Sequence, residues 1–204
     1  SRGWEVVGMD FTDDGLQAFF PALADKLMLG DAFELLDQAI ARGDQYDLVI
    51  CNNVLEHVID PVGLLTRLHA LMRPDGLVRI AVPNDNSWLQ AEIVRRGHAD
   101  PMFWVAAPDH LNYFNTDTLP KAMAATGWSV TDHLSEFPVD LFLLNPDTNY
   151  MRDRPLGRNC HFVRIAFEMG LWRERGVEGV VAFRRGCVQA GIGRNQVLYA
   201  RVAG

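Results

Sequence analysis

YDLVICNNVLEHVIDPVGLLTRLHALMRPDGLVRIAVPNDN, residues 46–86, is the stretch that decides the fold. An apolar run, a polar corner, an amphipathic stretch, a turn and a second apolar run follow one another, the grammar of a strand–helix–strand unit. Asp60 is a natural N-cap and Pro61 suits the first helical position. Leu64, Leu65, Leu68, Leu71 and Met72 then repeat at three-to-four spacing and make one buried stripe. Arg73-Pro74-Asp75-Gly76 stops the helix and turns the chain into a second strand, residues 77–82. A parallel pair of strands needs a crossover of about a dozen residues or more, nearly always right-handed. The corner Cys51-Asn52-Asn53-Val54-Leu55-Glu56-His57 leaves the carboxyl end of the first strand, where open α/β sheets place their ligands. Chemistry is expected on that edge.

The flanks repeat the alternation. Upstream, residues 4–10 (WEVVGMD) read as a short strand ending on an acid, and Leu16, Phe19, Phe20 and Leu23 give a helix-like face. Residues 26–31 read as another strand with a Gly-Asp corner, and residues 33–40 as a helix. Downstream, Ser87 can cap a helix over residues 88–96, residues 98–112 form an aromatic, proline-interrupted loop, and Thr116 can cap a helix through Ala125. Residues 128–133 and 196–202 are strands. Residues 156–175 are helix-like with a weak point at Gly170, and residues 177–189 form a second, glycine-diluted helical segment. Strands alternating with helices predict an α/β fold with a mostly parallel sheet flanked by helices. The 204 residues are expected to form a single domain, with a helical insertion around residues 150–190.

Hydrophobic residues make up 49% and charged residues 22%, values ordinary for a folded domain. The net charge of −7 argues against a general nucleic-acid binder. Cys51, Cys160 and Cys187 are widely spaced and odd in number, which suggests a reducing compartment, and none has zinc-site spacing, so no metal is expected. No apolar run reaches the roughly 20 residues of a membrane span. With no charged-then-apolar leader in view, the expected address is cytoplasmic.

Taken together, these pieces resemble the class I S-adenosylmethionine (SAM)-dependent methyltransferases, a Rossmann-like fold. Nearest is the bacterial group that includes ubiquinone-type O-methyltransferases and enzymes of polysaccharide gene clusters. Val6-Val7-Gly8-Met9-Asp10 is similar to the family's second strand with its terminal acid, and Gly30-Asp31-Ala32 to the corner after its third. Asp47-Leu48-Val49-Ile50, Asn53-Val54-Leu55-Glu56-His57-Val58 and Asp60-Pro61 resemble the fourth-strand block closely. Leu71 to Gly76 is similar to the family's Pro-Gly-Gly turn, and His110-Leu111-Asn112-Tyr113-Phe114 to its late His…Phe segment. The family's first strand and glycine-rich loop have no counterpart, since only Ser1-Arg2-Gly3 precedes Trp4. The resemblance places that strand at the centre of the sheet. The expectation is that the natural gene product is longer. In this chain the second and fourth strands then pair directly, or a second copy fills the gap in a homodimer.

Asp10 sits where an acid binds ribose hydroxyls in dinucleotide folds, and the resemblance implies the same role toward SAM. Phe11 beside it, the Asp31 carboxylate and Ala32 N–H toward adenine, and the Asn52 and Asn53 backbone toward the methionine part complete the implied cofactor set. Each has a structural alternative: a strand-end acid, a core ring, a Gly-Asp turn, an asparagine corner. The resemblance places the Leu-Glu-His-Val stretch near the sulfonium. His57 and His110 are both candidate catalytic bases, since an imidazole titrates near working pH, and sequence does not choose between them. Tyr113 is a candidate substrate contact on the loop that would cover the acceptor. Arg158 and His161, with Arg164, recur every third residue and share a helical face. They recognise an anionic acceptor such as a sugar phosphate, or they form a solvated surface.

The leading reading is SAM-dependent methyl transfer to a small-molecule acceptor, most plausibly a hydroxyl of a sugar or glycan precursor. Two alternatives stand beside it, a non-catalytic methyltransferase-like module and a dinucleotide-binding oxidoreductase. The Leu-Glu-His-Val block and Pro-x-Gly turn do not fit the latter.

Overall fold

The computed structural model describes residues 3–203, which form two sheets and the helices around them. Strand β1 (Gly8–Asp10) runs parallel to β2 (Leu27–Leu29), and helix α1 (Asp14–Phe19) lies between them in sequence. The larger sheet has the order β3-β4-β6-β5, built from β3 (Tyr46–Asn52), β4 (Met72–Pro83), β5 (Trp128–Ser135) and β6 (Asn195–Val202). β3 and β4 are parallel, and β6 runs antiparallel to both β4 and β5. Within this sheet three strands therefore point one way and β6 alone is reversed. Helices α2 (Ala32–Arg42), α3 (Pro61–Ala70), α4 (Trp88–Arg95), α5 (Thr118–Ala125) and α6 (Leu156–Gln189) complete the set.

The crossover from β3 to β4 forms as its pattern dictates. Asp60 caps α3, its carboxylate accepting from Gly63 N at 2.8 Å, and Leu64, Leu65 and Leu68 are buried against Val78, Ile80 and Val82 of β4. Truncating Leu65 to alanine in such surroundings costs about 2–5 kcal/mol. Ser87 and Gln90 make a reciprocal capping box on α4.

Some boundaries differ from the sequence reading. β4 starts at Met72, so residues 73–76 do not leave the strand; they bulge from it. Tyr46 pairs with Met72 while Leu48 already pairs with Leu77. Gly76 is needed there, because a Cβ would stand 2.5 Å from Met72 Cε and 3.0 Å from the Tyr46 carbonyl. Thr116 is not the cap of α5. Asp117 is the N-cap, and the Asn115 side chain supports the helix start from two residues before it, its Oδ1 accepting from Asp117 N and Thr118 N. The break in α6 falls at Gly176 (φ 63°, ψ −162°), between the two helical segments read over residues 156–175 and 177–189, while the expected weak point at Gly170 stays helical. Residues on either side of the break meet: the Phe167 and Phe183 rings lie 4.9 Å apart, and Arg184 faces Glu168 at 3.9 Å. α6 is thus a helical hairpin whose second half packs on β5, where Arg185 forks onto Asp132 at 2.8 and 2.9 Å.

β1 and β3 do not pair with each other, against the expectation of direct pairing. The reason lies one layer out. Helix α2, which follows β2, packs on α3, which follows β3. Arg67 ties them together, reaching Asp37 at 2.7 Å and lying 5.0 Å over the Phe33 ring. Packed helices sit about 8–10 Å apart, roughly two strand spacings of about 4.8 Å. The helix contact thereby holds the strands beneath it one strand-width apart. A cleft of about 320 Å³ results, with Val7 and Gly8 on one wall, Leu48 and Ile50 on the other and Leu64 and Leu68 among the floor residues. Open strand edges template pairing with other chains. Because Ile50 is 58% exposed in β3, sedimentation velocity is expected to show concentration-dependent association of this chain. Ile50→Lys is expected to leave it monomeric at the same concentration.

Candidate active site

The carboxyl ends of β1, β2 and β3 open onto one cleft of about 810 Å³. Asp10 and Phe11 come from the end of β1, Asp31 and Ala32 from the turn after β2, and Asn52, Asn53 and His57 from the corner after β3. All six residues expected to contact a cofactor line this one cleft, with His57 beside them. The volume lies in the range of pockets that hold nucleotide-sized ligands.

Several of these side chains also have local partners. Asp10 accepts from Thr12 N at 3.2 Å through Oδ1, and its carbonyl accepts from Gly30 N at 3.0 Å, joining the β1 and β2 ends. Asp31 is the N-cap of α2, its Oδ1 accepting from Phe33 N at 2.9 Å and Glu34 N at 3.1 Å. One oxygen of the Asp31 carboxylate is therefore committed to the helix. The Asn52 side chain accepts from Arg79 of β4. Asn53 adopts φ 51°, a left-handed conformation that asparagine tolerates, and its N–H donates to Ala81 O at 2.9 Å, closing the corner on β4.

The corner is clamped from above by the segment after the aromatic loop. The Glu56 carbonyl accepts from Leu111 N at 2.8 Å and from Asn112 N at 3.0 Å. The Asn112 side chain returns the contact, donating to Leu55 O at 3.2 Å and Val58 O at 2.6 Å. This clamp brings His110 to His57, their rings edge-to-face with centroids 4.8 Å apart, and sets Tyr113 with its ring 6.2 Å from His110. The Tyr113 hydroxyl donates to the His110 carbonyl at 3.1 Å. His57 Nδ1 lies 2.7 Å from the Asp109 carbonyl, so that nitrogen carries the proton and leaves the Nε2 lone pair free. Nε2 is 3.9 Å from Glu56 Oε1.

Glu56 was the residue that sequence reasoning left without a role. It is almost fully buried, and burial holds its carboxyl above the usual range, opposed by its own backbone hydrogen bond and by His57 and His110. Glu56, His57 and His110 place one ligand atom each within 4.8 Å of one another, a spacing that suits a shared proton or a divalent cation. Behind them lies a polar network that no spacing rule flags. Asp85 is buried, and its N–H donates to Phe114 O at 2.7 Å. Arg194 Nη1 stands 3.6 Å from Asp85 and 4.0 Å from Asp140, which also receives Tyr150 Oη at 3.2 Å and Gln90 Nε2 at 3.4 Å. Burial pushes the Asp85 carboxyl up to about 6, against the pull of Arg194 and His110. Among the described residues, Glu56 Oε2, Asn84 Oδ1, Asp85 Oδ1, His110 Nδ1 and Arg194 Nη1 are buried without a hydrogen-bond partner. Such atoms cost about 1–3 kcal/mol each unless a partner reaches them. Cys51, at the same strand end, is no nucleophile, since burial, reinforced by Glu56, pushes its thiol up to about 12.

Arg158 and His161 are not among the residues lining the cleft. They sit on the first half of α6, where Arg158 stacks 5.7 Å from the Phe162 ring and His161 Nδ1 lies 3.3 Å from Arg164.

An α/β sheet with a ligand cleft at its strand ends, an acid closing the first strand and histidines over the third defines a nucleotide-cofactor domain of Rossmann-like class. Comparison with known proteins narrows the class. The sequence pattern of the methyltransferase-domain family matches residues 1–133. The ubiquinone biosynthesis O-methyltransferase of Salmonella paratyphi A is 30% identical over 165 residues, covering 74% of this chain and 65% of the relative. That of Aeromonas salmonicida is 33% identical over 159 residues, covering 74% and 66%. A SAM-dependent methyltransferase from Archaeoglobus fulgidus shares the fold with a TM-score of 0.54 at 15% identity, over 98% of this chain and 76% of that one. A toxoflavin-precursor N1-methyltransferase from Burkholderia thailandensis, solved with S-adenosylhomocysteine, gives 0.51 at 17% identity, over 99% and 63%. The chain belongs to the methyltransferase-domain family of class I SAM-dependent methyltransferases. It spans about 65% of the length of the Salmonella relative.

Two outcomes test the geometry. Asp85, with an ordinary value of 3.8 and a folded value near 6, binds more protons folded than unfolded between those limits, so it removes stability as pH rises through that window. Asp85→Asn is expected to flatten the fall in stability between pH 4 and 6 by about 1–3 kcal/mol, read from urea unfolding across that range. Asn112→Ala strands the Leu55 and Val58 carbonyls and is expected to cost about 1–3 kcal/mol in the same assay at pH 7.

Proposed function

We propose that this chain forms the adenosine side and the acid–base corner of a SAM site, and that the protein transfers a methyl group to a hydroxyl of a small molecule. The observation that carries the reading is the convergence of Asp10, Phe11, Asp31, Ala32, Asn52 and Asn53 on one cleft with His57 at its rim. The residues present fit the cofactor. A strand-end carboxylate suits ribose hydroxyls, and Met9, Phe11, Val54 and Ile59 offer apolar surface for an adenine ring. SAM supplies, when bound, an electrophilic methyl group on a sulfonium.

The chain's own residues do the rest. Asp10 accepts hydrogen bonds from the ribose. Ala32 N–H and the free oxygen of Asp31 orient the base. His57 takes the acceptor's hydroxyl proton on Nε2, because the Asp109 carbonyl fixes its tautomer and because, of the two histidines, it lines the cleft. His110 and Glu56 receive or hold that proton behind it, and Tyr113 walls the acceptor. The Glu56 and Asp85 carboxylates lie buried behind the cleft, outside its lining, and favour an uncharged acceptor, as in a sugar or glycan precursor. The same carboxylates oppose an anionic acceptor. Arg158 and His161 drop out of acceptor recognition, since they lie on the first half of α6 and do not line the cleft.

Calorimetry on this chain tests the cofactor. S-adenosylhomocysteine is expected to bind, and Asp10→Ala to weaken it about tenfold or more, the loss of a charge-assisted hydrogen-bonded partner. Binding of NAD in place of S-adenosylhomocysteine would move the chain to the oxidoreductase reading. Binding of neither would leave a methyltransferase-like module without a cofactor.

A further inference from the structure

A row of exposed apolar side chains lies far along the chain from the cleft residues, on the first half of α6. Phe162, Ile165, Met169 and Trp172 follow one another at three-, four- and three-residue steps, so they share one helical face. They are 55%, 38%, 63% and 54% exposed. The other side turns toward the second half of α6: Phe167 meets Phe183, and Arg164 and Arg184 both reach Glu168. Because the second half of α6 packs on β5, the first half is the outermost layer, and its stripe faces away from the domain. A contiguous apolar patch on a folded surface marks an interaction site.

Charge selects the partner. The whole chain carries 19 Lys+Arg against 26 Asp+Glu, yet the first half of α6, residues 156–175, holds Arg158, Arg164, Arg173 and Arg175 against Glu168 and Glu174, with Arg164 and Arg173 paired to those acids. Arg158 flanks the stripe at its start, stacked on Phe162, and Arg173 and Arg175 flank its end. Neither Arg158 nor Arg175 makes an ion pair among the described residues. A second copy docking stripe to stripe brings two arginine-rich arms together. A nucleic acid leaves the apolar residues unburied. A lipid surface takes up both, the apolar side chains entering the acyl boundary and the guanidinium groups reaching the headgroups.

We propose that the outer face of this arm docks on an anionic lipid bilayer. A tryptophan at one end and a methionine between aromatics suit the interfacial zone, and the flanking arginines supply the attraction to negative headgroups. The arm lies on such a surface and does not cross it; no helix of the described residues is long and apolar enough to span a membrane.

Vesicle co-sedimentation of the 204-residue chain tests the proposal. The chain is expected to sediment with phosphatidylcholine vesicles containing about a third phosphatidylglycerol at low salt, and to stay in solution with phosphatidylcholine alone. The double variant Met169→Glu, Trp172→Glu is expected to lower the bound fraction at least about tenfold, and Arg158→Glu to weaken binding and its salt dependence together. Both changes fall on exposed positions, and an unchanged circular dichroism melt shows that the variants fold. Absence of binding to the anionic vesicles overturns the proposal, as does binding that the stripe variants leave intact. Dimers seen by sedimentation velocity and dispersed by Met169→Glu, without vesicle binding, assign the face to a second copy instead.

Discussion

Asn112 and the Glu56 carbonyl hold the two halves of the site together. Four hydrogen bonds join the corner after β3 to the segment that returns over it, although more than 50 residues separate them in sequence. Without that junction, His57 and His110 are unrelated side chains on a strand exit and a loop. With it, their rings touch, Glu56 is sealed beneath them, and Asp85 is pulled in through its N–H bond to Phe114. Two of the four bonds are backbone to backbone and survive any side-chain substitution, and the other two depend on the Asn112 amide.

A second constraint acts on the other side of the cleft. The α2–α3 contact sets the distance between β1 and β3, and Asp10 and Asp31 ride on the strand pair that α2 follows. The ion pair of Arg67 with Asp37 is partly exposed and by itself contributes little. The stacking of the guanidinium on Phe33 and the burial of Leu36 and Ala39 against the α3 leucines contribute more. Cofactor-edge geometry thus depends on helix packing one layer away from the strands that bear the residues.

The strand–helix–strand unit was legible because three signals agreed over residues 46–86: apolar period, Asp60-Pro61 at the helix start, and Gly76 at the turn. The cofactor residues were legible because each sits at a strand end, and topology carries strand ends to one edge. Pairwise neighbours remote in sequence were not. Glu56 with His110, and Asp85 with Arg194, have no periodic relation that a reader of one sequence can use. The reversal of β6 was hidden for a related reason, since alternation names a strand and not its direction. The gap between the helical segments at residue 176 was legible, whereas Gly170, read as a weak point, keeps helical backbone, and Gly176 takes the positive φ. Arg158 and His161 were read correctly as sharing a helical face, but spacing does not say which way that face looks.

Of the two interior strands of the larger sheet, β6 comes last in sequence among the described elements. β6 sits between β4 and β5, and the edge of β4 turned away from β3 pairs, over residues 78–83, with residues 195–200. A chain emerging from the ribosome can build β3, α3 and β4 early, but the sheet stays in two pieces until β6 is released. Closure is then a long-range, late step, and both strands that will flank β6 wait with open edges meanwhile. Joining of this sheet is in that sense all-or-none, since β3 and β4 meet β5 only through β6.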